Sequence, residues 1–319
     1  MIRMLSATLA AIALAAAPLA ATAQAWPKGP ITIVVPLAAG DGGDTTARAM
    51  SEELARELQV PVLVSNKPGA GGALGVQSVI AAHKDGYTLL FTQNSPLTIR
   101  RVLEPQTANY DPLRDLLPLA ITTRTPSVLV VGKDAPFDTF QEMVAYAKKN
   151  PGGVRIGNAG PGSAGDLSVQ VMNSVAGIEL TSVPYKGAAP AVTDALGGQI
   201  EGVILALGAL SGHIKSGSFK PIAISSPYPE LPQVPTLGKL GYKQELLGVW
   251  FTWLAPAGTP AEAVQVLLPA LQKAAANRAI AKRLLPMGIV QDWVPATKVA
   301  AEITNEYATV GELLRKLKK

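Results

Sequence analysis

VVPLAAGDGGDTTAR, residues 34–48, passes from an apolar run through a proline and a small-residue loop into helical spacing. Val34 and Val35 end a β-branched run that begins at Ile31, so a buried strand is expected over Ile31–Val35. From Thr45 to Leu58 the apolar residues recur at helical intervals, and Asp44 stands where an N-cap would stand. Asp44 is therefore expected to cap a helix Thr45–Leu58, with direct ligand contact as its alternative role. A strand–loop–helix joint of this kind is suited to an anion, because the free amides of a helix start carry positive character. Asp41 is then the anomaly: a second carboxylate where negative charge should be welcome.

Working outward, VPVLVSN (60–66) predicts a second strand, GALGVQSVIAAH (72–83) a second helix and YTLLFTQN (87–94) a third strand. The alternation resumes with PSVLVVGKD (126–134), a helix over Thr139–Lys149, VRIGNAG (154–160) and a helix over Asp166–Ala176. LTSVPYKG, a helix Ala189–Leu196, IEGVILAL, a helix near His213 and KPIAIS follow, before the proline-rich loop SSPYPELPQVPTLGKLGY. GVWFTWLAPAGTP leads into two expected closing helices, Ala261–Asn277 and about Ala296–Lys316. Strands of five to eight residues alternating with amphipathic helices predict parallel, helix-covered sheets. Two such blocks exceed one sheet, so the helical tail is expected to pack back on the first lobe, leaving two chain crossings. Ligands of open α/β sheets bind outside the carboxyl ends of the strands, and a cleft between lobes sets two such edges face to face.

The first residues predict a secretory leader rather than part of the fold. Arg3, an Ala/Leu run from Leu5 to about Ala17, and small-x-small cleavage sites at Ala21–Ala23 or Ala23–Ala25 make the pattern. The run is too short and too small in side chain for a convincing membrane span. Cysteine is absent from the chain, which excludes disulfides, thiolate metal sites and a cysteine nucleophile. His83 and His213 are far apart and lack metal-ligand spacing, so no metal or other cofactor is expected. The chain holds 28 basic and 23 acidic residues, and loss of Arg3 leaves a net charge of about +4. Those charges are scattered except at Arg315, Lys316, Lys318 and Lys319, which suit a solvated helix end. With 5% aromatics and no basic–aromatic interleaving, nucleic acid is not an expected partner.

Three motifs bear on chemistry. NKPGAGGALG (66–75) approaches a dinucleotide fingerprint, but Lys67-Pro68 interrupts it and no acidic residue ends a following strand. Its glycines are expected to serve tight turning. NAGPGSAGD (158–166) nearly spells a nucleophile elbow around Ser163, with His213 the sole downstream histidine for a serine ester hydrolase. The alternative is that the Ser163 hydroxyl and nearby amides cradle an oxygen-rich ligand at a helix mouth. Tyr185 follows Pro184 at a strand end and could wall a cleft; Lys186 could equally face solvent.

Seven phrases then occur in an order that resembles one family: WPKGPITIVVPLAAG…DTTARAM, VSNKPGAGGALG, KDGYTLL, YDPLRDLLPLA, VPYKGAAPAVTDALGGQIE, LPQVPTLGKLGY and WLAPAGTP. They resemble the substrate-binding receptors of the tripartite tricarboxylate transporters, the Bug family, from about Trp26 to the C-terminus. The resemblance implies a two-lobed type II periplasmic binding protein with its ligand cleft between the lobes. It further implies capture of a small organic acid, delivery to inner-membrane permease subunits, a periplasmic location and no catalysis; a monomer is expected. The organisation expected is a leader over 1–25, a first lobe over 26–124 and 249–319, and a second lobe over 125–248.

In that family two loops grip the ligand carboxylate, partly through water. The resemblance places them at Pro36–Asp44, through Leu37, Ala38, Gly42 and Gly43, and at Asn158–Ser163, through Gly160, Gly162 and Ser163. Asn94 and Ser95 would border the same cleft and Tyr185 its far side. The chain departs from the family pattern at three points. Asp41 replaces a loop glycine, Asp166 replaces a histidine at the head of the second-lobe helix, and Leu205-Ala206-Leu207 lacks a customary acidic residue. Asp41 and Asp166 could point to solvent or cap helices, meet a cationic part of the ligand, or mark a degenerate site. Two like charges within about 4–6 Å would otherwise disfavour each other's ionisation. A sensor role, presenting the loaded form to a membrane kinase, uses the same fold.

Overall fold

The computed structural model describes residues 26–317. The expected leader and the last two lysines of the basic tail lie outside the described residues. The strands are β1 (Ile31–Val35), β2 (Val62–Asn66), β3 (Thr88–Gln93), β4 (Leu116–Thr125), β5 (Ser127–Gly132), β6 (Val154–Asn158), β7 (Leu180–Pro184), β8 (Gly202–Ala206), β9 (Phe219–Ile224), β10 (Val249–Pro256) and β11 (Val290–Pro295). The helices are α1 (Gly42–Leu58), α2 (Ala73–Ile80), α3 (Ile99–Leu103), α4 (Pro112–Asp115), α5 (Phe140–Lys149), α6 (Ala164–Ala176), α7 (Ala188–Leu196), α8 (Leu207–Lys215), α9 (Ala261–Ala275), α10 (Arg278–Leu284) and α11 (Ala296–Leu317).

Two sheets make two lobes. The first has six strands in the order β11-β4-β10-β3-β1-β2, and the second has five in the order β7-β6-β8-β5-β9. The chain enters the second lobe between β4 and β5, around Pro126, and returns through the loop that precedes β10. Each sheet is mixed rather than parallel throughout. β1 runs parallel to β2 and β3, but β10 is antiparallel to both β3 and β4. β6 runs parallel to β7 and β8, but β5 is antiparallel to β8 and β9. The reason is geometric. The start of β5, Ser127, pairs with the end of β8, Ala206, and the start of β10 pairs near the ends of β3 and β4. A strand that enters a lobe at the cleft must run against the strands whose carboxyl ends form that edge.

The tail is more than two helices. It supplies β10 and β11 to the first sheet, adds α10, and then ends in α11. Trp253 of β10 is wholly buried and packs at 4.7 Å between ring centroids on Phe91 of β3. α11 makes a third connection beyond the two crossings expected. Its Val299 and Ile303 belong to a first-lobe core, while Val310 and Leu313 lie in the core of the second. A helix of 22 residues is about 33 Å long, enough to span from one lobe to the other. Arg124 at the end of β4 is fastened to this frame by ion pairs to Asp292 of β11 and Glu302 of α11.

Helix starts follow local chemistry. Thr139 and Glu142 form a reciprocal capping box on α5. α1 begins at Gly42, three residues before the expected start, and its N-cap is Asp41, whose Oδ1 accepts from the Gly43 amide at 2.9 Å. Asp44 is thus not the cap; it lies inside the first turn.

Candidate functional site

The joints after β1 and β6 are built alike. In the first lobe the amide of Gly40 donates to Asp44 Oδ2 at 2.8 Å, and Asp41 caps the helix. In the second the amide of Gly162 donates to Asp166 Oδ2 at 2.8 Å, and Ser163 caps α6 by accepting from the Asp166 amide at 3.2 Å. Gly40 (φ +86°) and Gly162 (φ +69°) both take the left-handed conformation that a side chain would strain. Each aspartate also reaches the neighbouring parallel strand: Asn66 Nδ2 donates to Asp44 Oδ1 at 2.9 Å, and Ser182 Oγ to Asp166 Oδ1 at 2.6 Å. Gly40-Asp-Gly-Gly-Asp44 and Gly162-Ser-Ala-Gly-Asp166 are therefore one device used twice.

Asp44 is buried, with 3% of its surface exposed. Burial works to raise its pKa, but the Arg48 guanidinium, the Gly40 amide and Asn66 hold it below the usual carboxylate value. Asp166 is spent on loop and sheet contacts in the same way. Neither Asp44 nor Asp166 presents a free carboxylate to the cleft. Asp41, exposed on the loop, is a helix cap.

Between the lobes lies a cleft of ≈ 340 Å³. Its floor is Ser127 and Val249, where the chain passes between lobes; Gln93, Asn94 and Ser95 continue β3 on one wall, and Ala159–Gly165 with Ile204–Ala206 form the other. Arg100 of α3 is the one ionisable side chain in this lining. Its Nη1 is paired with Glu104 one helical turn on. On the second-lobe wall Ala164 and Gly165 begin α6, so positive character faces the cavity from there as well. Gly165 is placed by necessity: a Cβ there would come within 2.4 Å of the Ile204 carbonyl on β8.

The expected site residues divide into groups. Asn94, Ser95, Gly160, Gly162, Ser163 and Leu205 line the cleft together. Asn158 lies beneath the second-lobe loop and braces it, its Oδ1 accepting from the Gly160 amide at 3.0 Å and from Ser163 Oγ at 3.4 Å. Leu37, Ala38, Asp41, Gly42, Gly43 and Asp44 sit at the carboxyl end of β1, outside the lining of that cavity. There Gly43 lets Leu37 and Phe251 close on the loop, since a Cβ would lie 2.5 Å and 2.6 Å from their side chains. Tyr185 does not line the cleft. Its hydroxyl donates to Asp194 at 2.7 Å, and burial with that carboxylate pushes its pKa up to about 12. The Gly160 and Gly162 amides, expected to meet ligand, are occupied by Asn158 and Asp166. Gln93, Arg100, Ala164 and Gly165 are not among the expected residues.

Ser163 lacks the setting of a nucleophile. Its hydroxyl partners are the Asp166 amide and Asn158 Oδ1, and the His213 ring lies against Phe219 at 5.6 Å. Among the described residues no group of three or more His, Cys, Asp or Glu could hold a metal ion. No helix among them is long and apolar enough to cross a membrane.

Comparison with known proteins agrees with this architecture. The family model described as "Tripartite tricarboxylate transporter family receptor" matches residues 46–318. The protein BugT of Bordetella pertussis is 33% identical over 270 residues, covering 84% of this chain and 82% of its own. A TctC solute binding protein from Polaromonas superposes with a TM-score of 0.83 at 28% identity, over 91% of this chain and 99% of its own. MatC from Rhodopseudomonas palustris, solved with bound malate, superposes with a TM-score of 0.69 at 27% identity, over 90% and 99%. The family match over residues 46–318 and these relatives place the chain in the tripartite tricarboxylate transporter receptor family, whose members are periplasmic solute-binding proteins.

Proposed function

We propose that this receptor captures a small organic acid between its lobes as the carboxylate and hands it to inner-membrane permease subunits, without chemical change to the ligand. The observation that carries the reading is Arg100, the lone ionisable group of the cleft lining, sharing the cavity with the start of α6. A cation and free helix-start amides in one polar cleft favour an anion of a few carbons, and a guanidinium matches the planar carboxylate well. The bound malate of MatC supports a carboxylate as the class. The leader expected over residues 1–25 would export the chain to the periplasm, where it acts as a monomer. Asp41 is engaged as a helix cap and Asp166 by the Gly162 amide and Ser182, so the two added carboxylates do not oppose an anionic ligand.

The test is a thermal-shift screen over mono-, di- and tricarboxylates, followed by calorimetry. A ligand that binds the folded form alone raises the melting temperature in proportion to RT ln(1 + [L]/Kd). Stabilisation by at least one carboxylate, lost in Arg100→Gln, is the expected result. No response to any carboxylate, or turnover of activated esters that Ser163→Ala abolishes, would overturn it.

A further inference from the structure

The amide of Asn94 has a fixed direction. Its Nδ2 donates to Glu306 Oε1 at 2.8 Å, to Glu306 Oε2 at 3.0 Å and to the Gly248 carbonyl at 3.0 Å. Glu306 stands on α11 and is itself held by Thr98 Oγ1 at 2.6 Å and Trp250 Nε1 at 2.7 Å. Both amide hydrogens of Asn94 are therefore consumed by groups that are not part of the cleft lining. With Glu306 ionised, turning the amide over would set Oδ1 against a carboxylate and a carbonyl, three acceptor oxygens with no hydrogen between them. The side chain keeps one orientation.

The oxygen that this leaves is unsatisfied. Asn94 is 2% exposed, and among the described residues nothing donates to its Oδ1. Yet the one enclosed side-chain polar atom without a partner among those residues is Thr123 Oγ1. Asn94 Oδ1 must therefore reach open space, and the space beside Asn94 is the cleft that Arg100 also lines. A nearly buried acceptor aimed into a binding cavity discriminates by what it lacks. A ligand with a donor satisfies it, and one without strips its water and gives nothing back.

We propose that Glu306 is a positioning residue that locks Asn94 as an acceptor, and that the receptor thereby selects carboxylates bearing a hydroxyl or ammonium group over their plain counterparts. The selection rests on the carboxylate reading above, and adds to it the chemical class of the ligand. Arg100 takes the carboxylate; Asn94 Oδ1 takes the donor. Glu306 never touches the ligand, so its effect appears in the ratio between matched ligands more than in affinity for any one.

The experiment is calorimetry with three matched sets: propionate, lactate and alanine; succinate, malate and aspartate; glutarate, 2-hydroxyglutarate and glutamate. In whichever set binds, the hydroxy or amino member is expected to bind about tenfold or more tightly than the plain acid. Glu306→Gln, isosteric and uncharged, offers an amide that can meet a turned-over Asn94, so that ratio should shrink several-fold while affinity for the plain acid holds within about twofold. Equal affinity across a set in the native protein would overturn donor selection and leave the carboxylate reading standing. A native preference that Glu306→Gln leaves intact, in a variant with a cooperative melt, would overturn the role of Glu306. Failure of all nine to bind would count against the carboxylate reading, and donor selection would fall with it. Should the variant not fold, the native ratios still decide the selection.

Discussion

Asp44 and Asp166 occupy the same position in the two lobes: each accepts the amide of the glycine four residues before it, at 2.8 Å, from the first turn of the helix that follows. The relationship explains why carboxylates gather at a place suited to anions. Asp44 and Asp166 neutralise amides that the loop itself leaves open, and Asp41 does so as a cap, the task Ser163 performs in the other lobe. The first joint is additionally charge-balanced, because Arg48 pairs with Asp44 at 2.9 Å. The amides that begin α6 and Arg100 remain in the cleft lining for the anion proposed above.

Asp44→Asn should lower stability by about 1–3 kcal/mol, since a buried acceptor set loses its charge and the Arg48 pair. Asp44 has its folded pKa below the ordinary carboxylate value, so its contribution is fully present above about pH 3.9 and is lost as pH falls below that toward the folded pKa. Urea melts of the native protein should show that loss, and the Asp44→Asn variant should show a shallower one. An identical acid profile in the two would refute the assignment. Asp166→Asn should destabilise as well, with no cation to strand.

The repeat is legible in the sequence as Gly-Asp-Gly-Gly-Asp against Gly-Ser-Ala-Gly-Asp, although its meaning is not. Helical periodicity alone sets the start of α1 at Thr45, because glycines at 42 and 43 carry no side-chain signal; the structure starts it at Gly42. The αβ alternation predicts most strands of both sheets, since their cores are continuous apolar runs. β4 and β11 escape it for different reasons. LLPLAITTRT is a central strand whose buried residues include three threonines, 122, 123 and 125, and it contains a proline. VQDWVP is a half-exposed edge strand broken by an irregularity between Gln291 and Val294. Arg100 is invisible as a site residue because nothing local marks it: it follows β3 on a helix of five residues, and only the approach of the second lobe makes its surroundings a cleft. Glu306 cannot be linked to Asn94 across 212 positions of sequence by any local pattern.

Arg100→Gln should weaken binding of a carboxylate ligand by about 10- to 100-fold, the worth of a charge-assisted hydrogen bond in a partly enclosed cavity. Its melting temperature without ligand should change little, because the Glu104 pair it loses is a part-exposed i,i+4 contact. Glu104→Gln should act in the opposite direction. The native carboxylate holds Arg100 in competition with ligand, so its removal is expected to tighten binding about two- to fivefold. Calorimetry on both variants checks the pair, and weaker binding in Glu104→Gln would show that Glu104 orients Arg100 instead of competing for it.

Gly165→Ala should destabilise the second lobe by about 1–3 kcal/mol through overpacking. The new Cβ would sit 2.4 Å from the Ile204 carbonyl and 3.1 Å from Asn158 Cβ, both parts of the packed sheet edge that cannot swing aside. Gly212→Ala is the matched control. It lies inside α8 with nothing within 4 Å of the added carbon, so it should stabilise by about 0.5–1 kcal/mol through helix propensity. Urea denaturation of both variants separates the two effects, and equal shifts in the same direction would show that the contact with β8 is not tight.

Glu306 predicts a pH dependence opposite in sign to that of Asp44. Loss of hydration raises its folded pKa above the ordinary value, although hydrogen bonds from Thr98, Asn94 and Trp250 work to lower it, and the nearby Glu302 adds to the rise. The unfolded chain then ionises at this position first. As pH climbs from about 4.3 toward the folded pKa, the native state binds the extra proton and stability falls, levelling off once both states are ionised. In Glu306→Gln that decline should be smaller, and the stability curve above about pH 4.3 correspondingly flatter. Because Asp44 acts below this window, the two variants should change different parts of the profile: Asp44→Asn the acid limb, Glu306→Gln the slope above it. Urea melts at half-unit pH steps resolve the two, and an unchanged slope in Glu306→Gln would mean that the three donors outweigh the lost hydration and keep this carboxylate ionised throughout.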